Sequence, residues 1–139
     1  MYSNRVMIKN IFLLDADKFF AHSFIQKLNQ RGSFNLKHFQ SYEDAKEVMN
    51  QINPDLILIE QKLRGKSGLE VIPLLKSNNP DIDIVMVSDQ KDISVVEAAY
   101  DSGVVKYFRK DVLLLDHIEG LIKERLSSEA SGWRRLFAN

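Results

Sequence analysis

The chain has 139 residues, 45% hydrophobic and 27% charged, with no cysteine. That is the composition of one soluble globular domain, with room for a single core when about 150 residues make a domain. Nineteen Lys and Arg balance nineteen Asp and Glu, so no global charge draws it to nucleic acid or an anionic membrane, and without cysteine there are no disulfides, thiolate metal sites or thiol catalysis.

The first strand is predicted at Ile11-Phe12-Leu13-Leu14, a wholly apolar run that stops at Asp15. Phe20, Phe24 and Leu28 then recur every four residues beside Ile25, a helical stripe with Gly32 as its stop signal and its phenylalanines in the core. Asn35 to Phe39 reads as a strand on Phe34, Leu36 and Phe39. Ser41, with Asp44 three residues on, resembles an N-cap, and Ala45, Val48, Met49 and Ile52 form the stripe of a second helix ended by Pro54. Leu56 to Ile59 has the continuous apolar character of a fully buried strand. Ser67-Gly68-Leu69-Glu70 fits a capping box that opens a third helix through Leu69, Ile72, Leu75 and Lys76, with a bend or early break expected at Pro73. Ile82 to Val87 is a fourth strand. Ile93 to Asp101 is a short helix closed by Gly103, Val104 to Phe108 a fifth strand, and Leu114, Ile118, Leu121, Ile122 and Leu126 the face of a last helix.

Apolar strands alternating with amphipathic helices predict an α/β fold, a doubly wound parallel sheet of flavodoxin-like (βα)5 type with strand order 2-1-3-4-5. Ligands of such sheets bind beyond the carboxyl ends of the strands. Those ends carry Asp15 and Asp17, Glu60, Ser88 and Lys110. The first turn, Leu14-Asp15-Ala16-Asp17-Lys18, has no glycine, so its amides cannot cradle phosphates as dinucleotide and nucleoside-triphosphate loops do.

In this order and spacing the segments resemble the receiver domain of two-component response regulators, the CheY-like family. The segments are Ile11-Phe-Leu-Leu-Asp15-Ala-Asp17, Pro54-Asp-Leu-Ile-Leu-Ile-Glu60, Leu63-Arg-Gly65-Lys-Ser-Gly68-Leu-Glu70-Val, Ile84-Val-Met-Val-Ser88 and Ala99-Tyr-Asp-Ser-Gly103-Val-Val-Lys-Tyr107-Phe-Arg-Lys110. The resemblance covers roughly Lys9 to Leu126. It implies a receiver unit over residues 1–126, with 127–139 as a Ser-rich joint and a C-terminal tail or linker start. It also implies a phosphoacceptor aspartate ending the third strand, an acidic pair on the first turn holding Mg²⁺, and switch and phosphoryl-contact positions at Ser88, Tyr107 and Lys110.

Two positions depart from that pattern. The acceptor position holds Glu60, and the metal-touching member of the acidic pair is Ala16. The extra methylene carries the carboxyl about 1.5 Å further out, and a misplacement of that size costs on the order of 100-fold in rate. A pseudo-receiver that has lost conventional acyl-phosphate formation, and is not an enzyme, is therefore the expectation. Glu60 would imitate the phosphorylated state in part, with one charge where a phosphoryl group brings about two. Weak Mg²⁺ binding by Asp15, Asp17 and Glu60 is the most such a pocket would retain. Lys62, two residues beyond the acceptor position, is expected to pair with Asp15, Asp17 or Glu60 in place of the missing cation. Asp111 stands where the family commonly has proline after the lysine, so that bond is expected trans. Partners are expected to be a signalling protein or an attached output domain. They would be met, with homodimerisation, on the face of the fourth helix, fifth strand and fifth helix, where Val95, Val96, Tyr100 and Tyr107 lie; neither nucleic acid nor membrane is an expected partner, and the expected location is the cytoplasm. The longest apolar runs are four residues, far short of a membrane span. His22, His38 and His117 show no metal-ligand spacing and are assigned no role. Trp133-Arg134-Arg135-Leu136-Phe137 is read as an exposed tail or as a docking motif. A phosphorylatable Mg²⁺-dependent receiver of altered geometry and a flavodoxin-like small-ligand binder stay open as alternatives.

Overall fold

A computed structural model describes residues 10–130, and side chains through Arg125. Ten elements alternate along it: β1 (Asn10–Leu14), α1 (Lys18–Asn29), β2 (Asn35–Phe39), α2 (Tyr42–Met49), β3 (Leu56–Ile59), α3 (Gly68–Asn78), β4 (Asp83–Ser88), α4 (Ile93–Ser102), β5 (Lys106–Arg109) and α5 (Leu114–Ala130). The sheet is parallel throughout in the order β2-β1-β3-β4-β5, the flavodoxin-like architecture predicted from the sequence.

Successive side chains of a strand point to opposite faces, so each apolar run feeds two cores. Ile11, Leu13, Leu56, Leu58, Val85 and Val87 pack with α1 and α5 on one face. Phe12, Leu14, Ile57, Ile59, Ile84 and Met86 pack with α2, α3 and α4 on the other. That is why these runs are apolar at every position rather than at alternate ones. Each strand ends where polarity returns, which brings Asp15, Glu60, Ser88 and Lys110 to one end of the sheet.

Several local expectations are corrected. Gly32 does not stop α1, which ends at Asn29 with Gln30 as a right-handed C-cap; a Cβ on Gly32 would lie 2.9 Å from the Phe34 ring, so its smallness serves that ring. Gly103 closes α4 as predicted, in the left-handed region at φ 111°. Helix α3 is not broken at Pro73. It continues to Asn78 behind a complete Ser67–Glu70 capping box, and the exposed proline forgoes only one backbone bond, where the helix faces water. β4 and β5 each lie slightly later than expected, because Ile82 N–H closes a turn onto Asn79 and Val104 N–H closes α4 onto Ala99. Helix α5 runs to Ala130, through the stretch expected to be a joint; the Trp133–Phe137 cluster lies outside the described residues. Phe19 is 90% exposed, so the phenylalanines of α1 are not all core. No helix among the described residues is long and apolar enough to cross a membrane.

Candidate functional site

The acidic turn after β1 is held by its neighbours on both sides. Asp15 N–H donates to the Phe39 carbonyl at 2.9 Å and Ala16 N–H to the Lys62 carbonyl at 3.2 Å. From β2 and its following turn, His38 Nε2 meets the Asp15 carbonyl at 2.7 Å and Gln40 Nε2 donates to the Ala16 carbonyl at 3.0 Å. A carbonyl only accepts, so the His38 Nε2 must carry the proton. On the other side, Glu60 N–H donates to the Leu14 carbonyl at 2.9 Å. A Cβ on Gly68 would lie 2.5 Å from the Glu60 carbonyl oxygen, so only glycine lets α3 begin this close to the end of β3.

These constraints converge on three side chains. Lys110 Nζ lies 2.8 Å from Asp15 Oδ2 and 2.8 Å from Glu60 Oε2. Asp15 and Glu60 are buried, and the lysine side chain is only 10% exposed. Asp15 Oδ1 accepts the Asp17 N–H at 2.8 Å and Glu60 Oε1 the Gln61 N–H at 2.6 Å; Asp15 Oδ2 is buried with the Lys110 ammonium as its ion-pair partner and without a hydrogen bond. One ammonium shared between two carboxylates leaves one net negative charge. Burial accordingly raises the Asp15 carboxyl above its ordinary value, and the pull of Lys110 toward ionisation does not fully offset it. Burial alone would lower Lys110, but its contacts with both carboxylates outweigh that and raise it.

The remaining predicted residues are placed as follows. Asp17 is exposed and caps α1, accepting the Phe20 N–H at 3.0 Å. Lys62 is exposed on the rim, and the ion pair expected of it is made by Lys110. Ser88 is buried, and its hydroxyl accepts the Gln90 N–H at 3.1 Å. Tyr107 is half-buried, donates to the Gln90 carbonyl at 3.0 Å, and has its hydroxyl pushed up by burial. Its backbone N–H donates to the Tyr100 hydroxyl at 3.1 Å. The Lys110–Asp111 bond is trans, like every peptide bond described. Sequence reasoning missed His38, Gln40 and Phe20; the Phe20 ring lies under Lys110 Nζ, 4.0 Å from ammonium to ring centroid.

Asp15, Asp17, Glu60, Lys62, Ser88 and Lys110 line a cleft of about 550 Å³ that also includes Gln61 and the loop from Asp89 to Asp92. Mg²⁺ requires close to six oxygens in octahedral array. Here Ala16 offers no ligand, Asp17 is turned to the helix cap, the Lys62 carbonyl accepts the Ala16 N–H, and an ammonium already bridges the other two carboxylates. Among the described residues no three His, Asp or Glu side chains group to hold a metal. Few oxygens of this pocket are therefore left open to the ion.

Comparison with known proteins returns one family: a model described as the response regulator receiver domain matches residues 11–121. The transcriptional regulatory protein MalR of Bacillus subtilis (strain 168) is 26% identical over 102 residues, 73% of this chain and 43% of MalR. The transcriptional regulatory protein DcuR of Escherichia coli (strain K12) is 25% identical over 134 residues, 91% of this chain and 50% of DcuR. This chain thus spans about half the length of these two relatives. Among solved structures, the CheY-like response regulator receiver domain protein from Methanospirillum hungatei JF-1 superposes with a TM-score of 0.77 at 21% identity, covering 90% of this chain and 98% of that one.

Proposed function

The chain belongs to the response regulator receiver family, and from that premise we propose that it signals by binding other proteins and does not accept a phosphoryl group at Glu60. The observation that carries this reading is Lys110 Nζ at 2.8 Å from both Asp15 and Glu60. In-line attack requires a free carboxylate oxygen and a cation on the phosphoryl group. Here one Glu60 oxygen holds the Gln61 amide and the other the ammonium, so attack would first have to break a buried ion pair. The carboxylate of Glu60 supplies in permanent form about half the charge that a phosphoryl group would bring.

The surface that reads this state is the face of α4, β5 and α5, met by a signalling protein, an attached output domain or a second copy. Tyr107 ties β5 to the loop at Gln90, and Tyr100 ties α4 to β5, so this face is mechanically joined to the loop that begins at Ser88.

The phosphoryl part is tested by incubating the protein with acetyl phosphate and Mg²⁺ and measuring intact mass. The expected result is unchanged mass; an added phosphoryl group would establish a phosphorylatable receiver of altered geometry instead. The surface is tested by Tyr100→Glu, since Tyr100 is 46% exposed and a charge there opposes apolar docking. Association measured by sedimentation should be lost, and unchanged assembly would remove this face from the reading.

A further inference from the structure

Phe20 touches the pocket twice. Its N–H is the donor that Asp17 accepts to start α1, and its ring lies beneath the Lys110 ammonium at 4.0 Å. The ring does not swing freely, because it stacks on Phe24 with centroids 5.5 Å apart and planes within 21°, and Phe24 is buried in the α1–α5 core. An ammonium has three N–H donors and no acceptor. Asp15 and Glu60 receive it on two sides, and a third carboxylate would raise the buried negative charge further. An aromatic face attracts the cation through its quadrupole and brings no net charge or proton of its own.

We propose that Phe20 is a positioning residue of this pocket: its ring forms the third wall of a cage that holds the Lys110 ammonium between Asp15 and Glu60. The inference rests on the ammonium-held pocket described above and assigns the holding to a residue outside the acidic constellation. A phenylalanine of the first helix, by pattern a core residue, thereby sets where the positive charge of the site stands.

A double-mutant cycle tests it. Phe20→Leu removes the π face while keeping an apolar side chain, and is made in the native chain and in Lys110→Gln. If Phe20 only fills the core, the substitution lowers the folding equilibrium constant by the same factor in both backgrounds. If it holds the ammonium, the factor is larger when Lys110 is present, by roughly 2- to 30-fold. NMR of Lys110 in the single variants keeps the test decisive even if the double variant does not fold. The Lys110 ε-methylene protons should carry an upfield ring-current shift in the native chain, lose it in Phe20→Leu and regain it in Phe20→Tyr. Equal factors in the two backgrounds, or ε-methylene shifts that ignore residue 20, would overturn the proposal. Phosphorylation of the native protein with the coupling intact would sink the functional reading and leave this one standing. Absent coupling in a protein that stays unphosphorylated would do the reverse.

Discussion

Arg31 and Lys110 each hold two carboxylates, and the two arrangements are nearly matched in distance. Arg31 Nη1 lies 2.6 Å from Asp116 and 3.2 Å from Glu119, joining the turn after α1 to α5 across the surface. Lys110 Nζ lies 2.8 Å from each of its partners. The Arg31 and Asp116 side chains are 34% and 61% exposed, whereas those of Asp15 and Glu60 are below 10%. Water screens the first cluster far more than the second. Distance alone does not rank ion pairs, and the surrounding dielectric does.

The largest break in that comparison is Lys110→Gln. It leaves two buried carboxylates without a counter-charge, and removing one partner of a buried pair costs about 3–5 kcal/mol. Urea unfolding should show a loss of that order; a loss under about 1 kcal/mol would mean the carboxylates reach water and the pocket is not sealed. The same pair sets an alkaline limit. The Lys110 ammonium is raised above its ordinary 10.5, so the stability it contributes is fully present below 10.5 and is lost as pH climbs through the higher folded value. The urea midpoint of the native chain should therefore fall more steeply above pH 10.5 than that of Lys110→Gln, and parallel curves would contradict the assignment. The smallest effect is expected at the exposed cluster, where Arg31→Ala should leave the urea midpoint within experimental error. A clear shift there would mean that the surface network between Arg31 and α5 is stronger than its exposure implies.

The sheet was legible because β1, β3 and β4 are buried on both faces and read as unbroken apolar runs, and even the half-buried β2 was found from Leu36 and Phe39. What was lost lay at element ends. Gly32 looked like a helix stop, but the stop is made by Gln30, and the glycine makes room for a ring two residues on. Asp15, Glu60, Ser88 and Lys110 were legible as a group because topology alone delivers strand ends to one place. Their pairing was less so: Lys62 and Lys110 are both cations near the pocket in sequence logic, and only side-chain direction decides between them. His38, Gln40 and Phe20 left no signal, since each acts through a main-chain carbonyl or a ring face met from another element, and no spacing within one segment encodes that. Asp17 illustrates a competing use, since the carboxylate placed in the acidic pocket by pattern is engaged by the first turn of α1.

The hydroxyl of Tyr100 also affects how the sheet can be extended. β5 is a rim strand of four residues. Lys110 N–H bonds inward to Ser88, and amide directions alternate along a strand, so Tyr107 N–H points away from β4. An outward donor of this kind is what an incoming segment uses to add itself as a sixth strand. Tyr100 fills it at 3.1 Å. A segment that adds itself along this rim must therefore displace the Tyr100 phenol before it can use the Tyr107 amide.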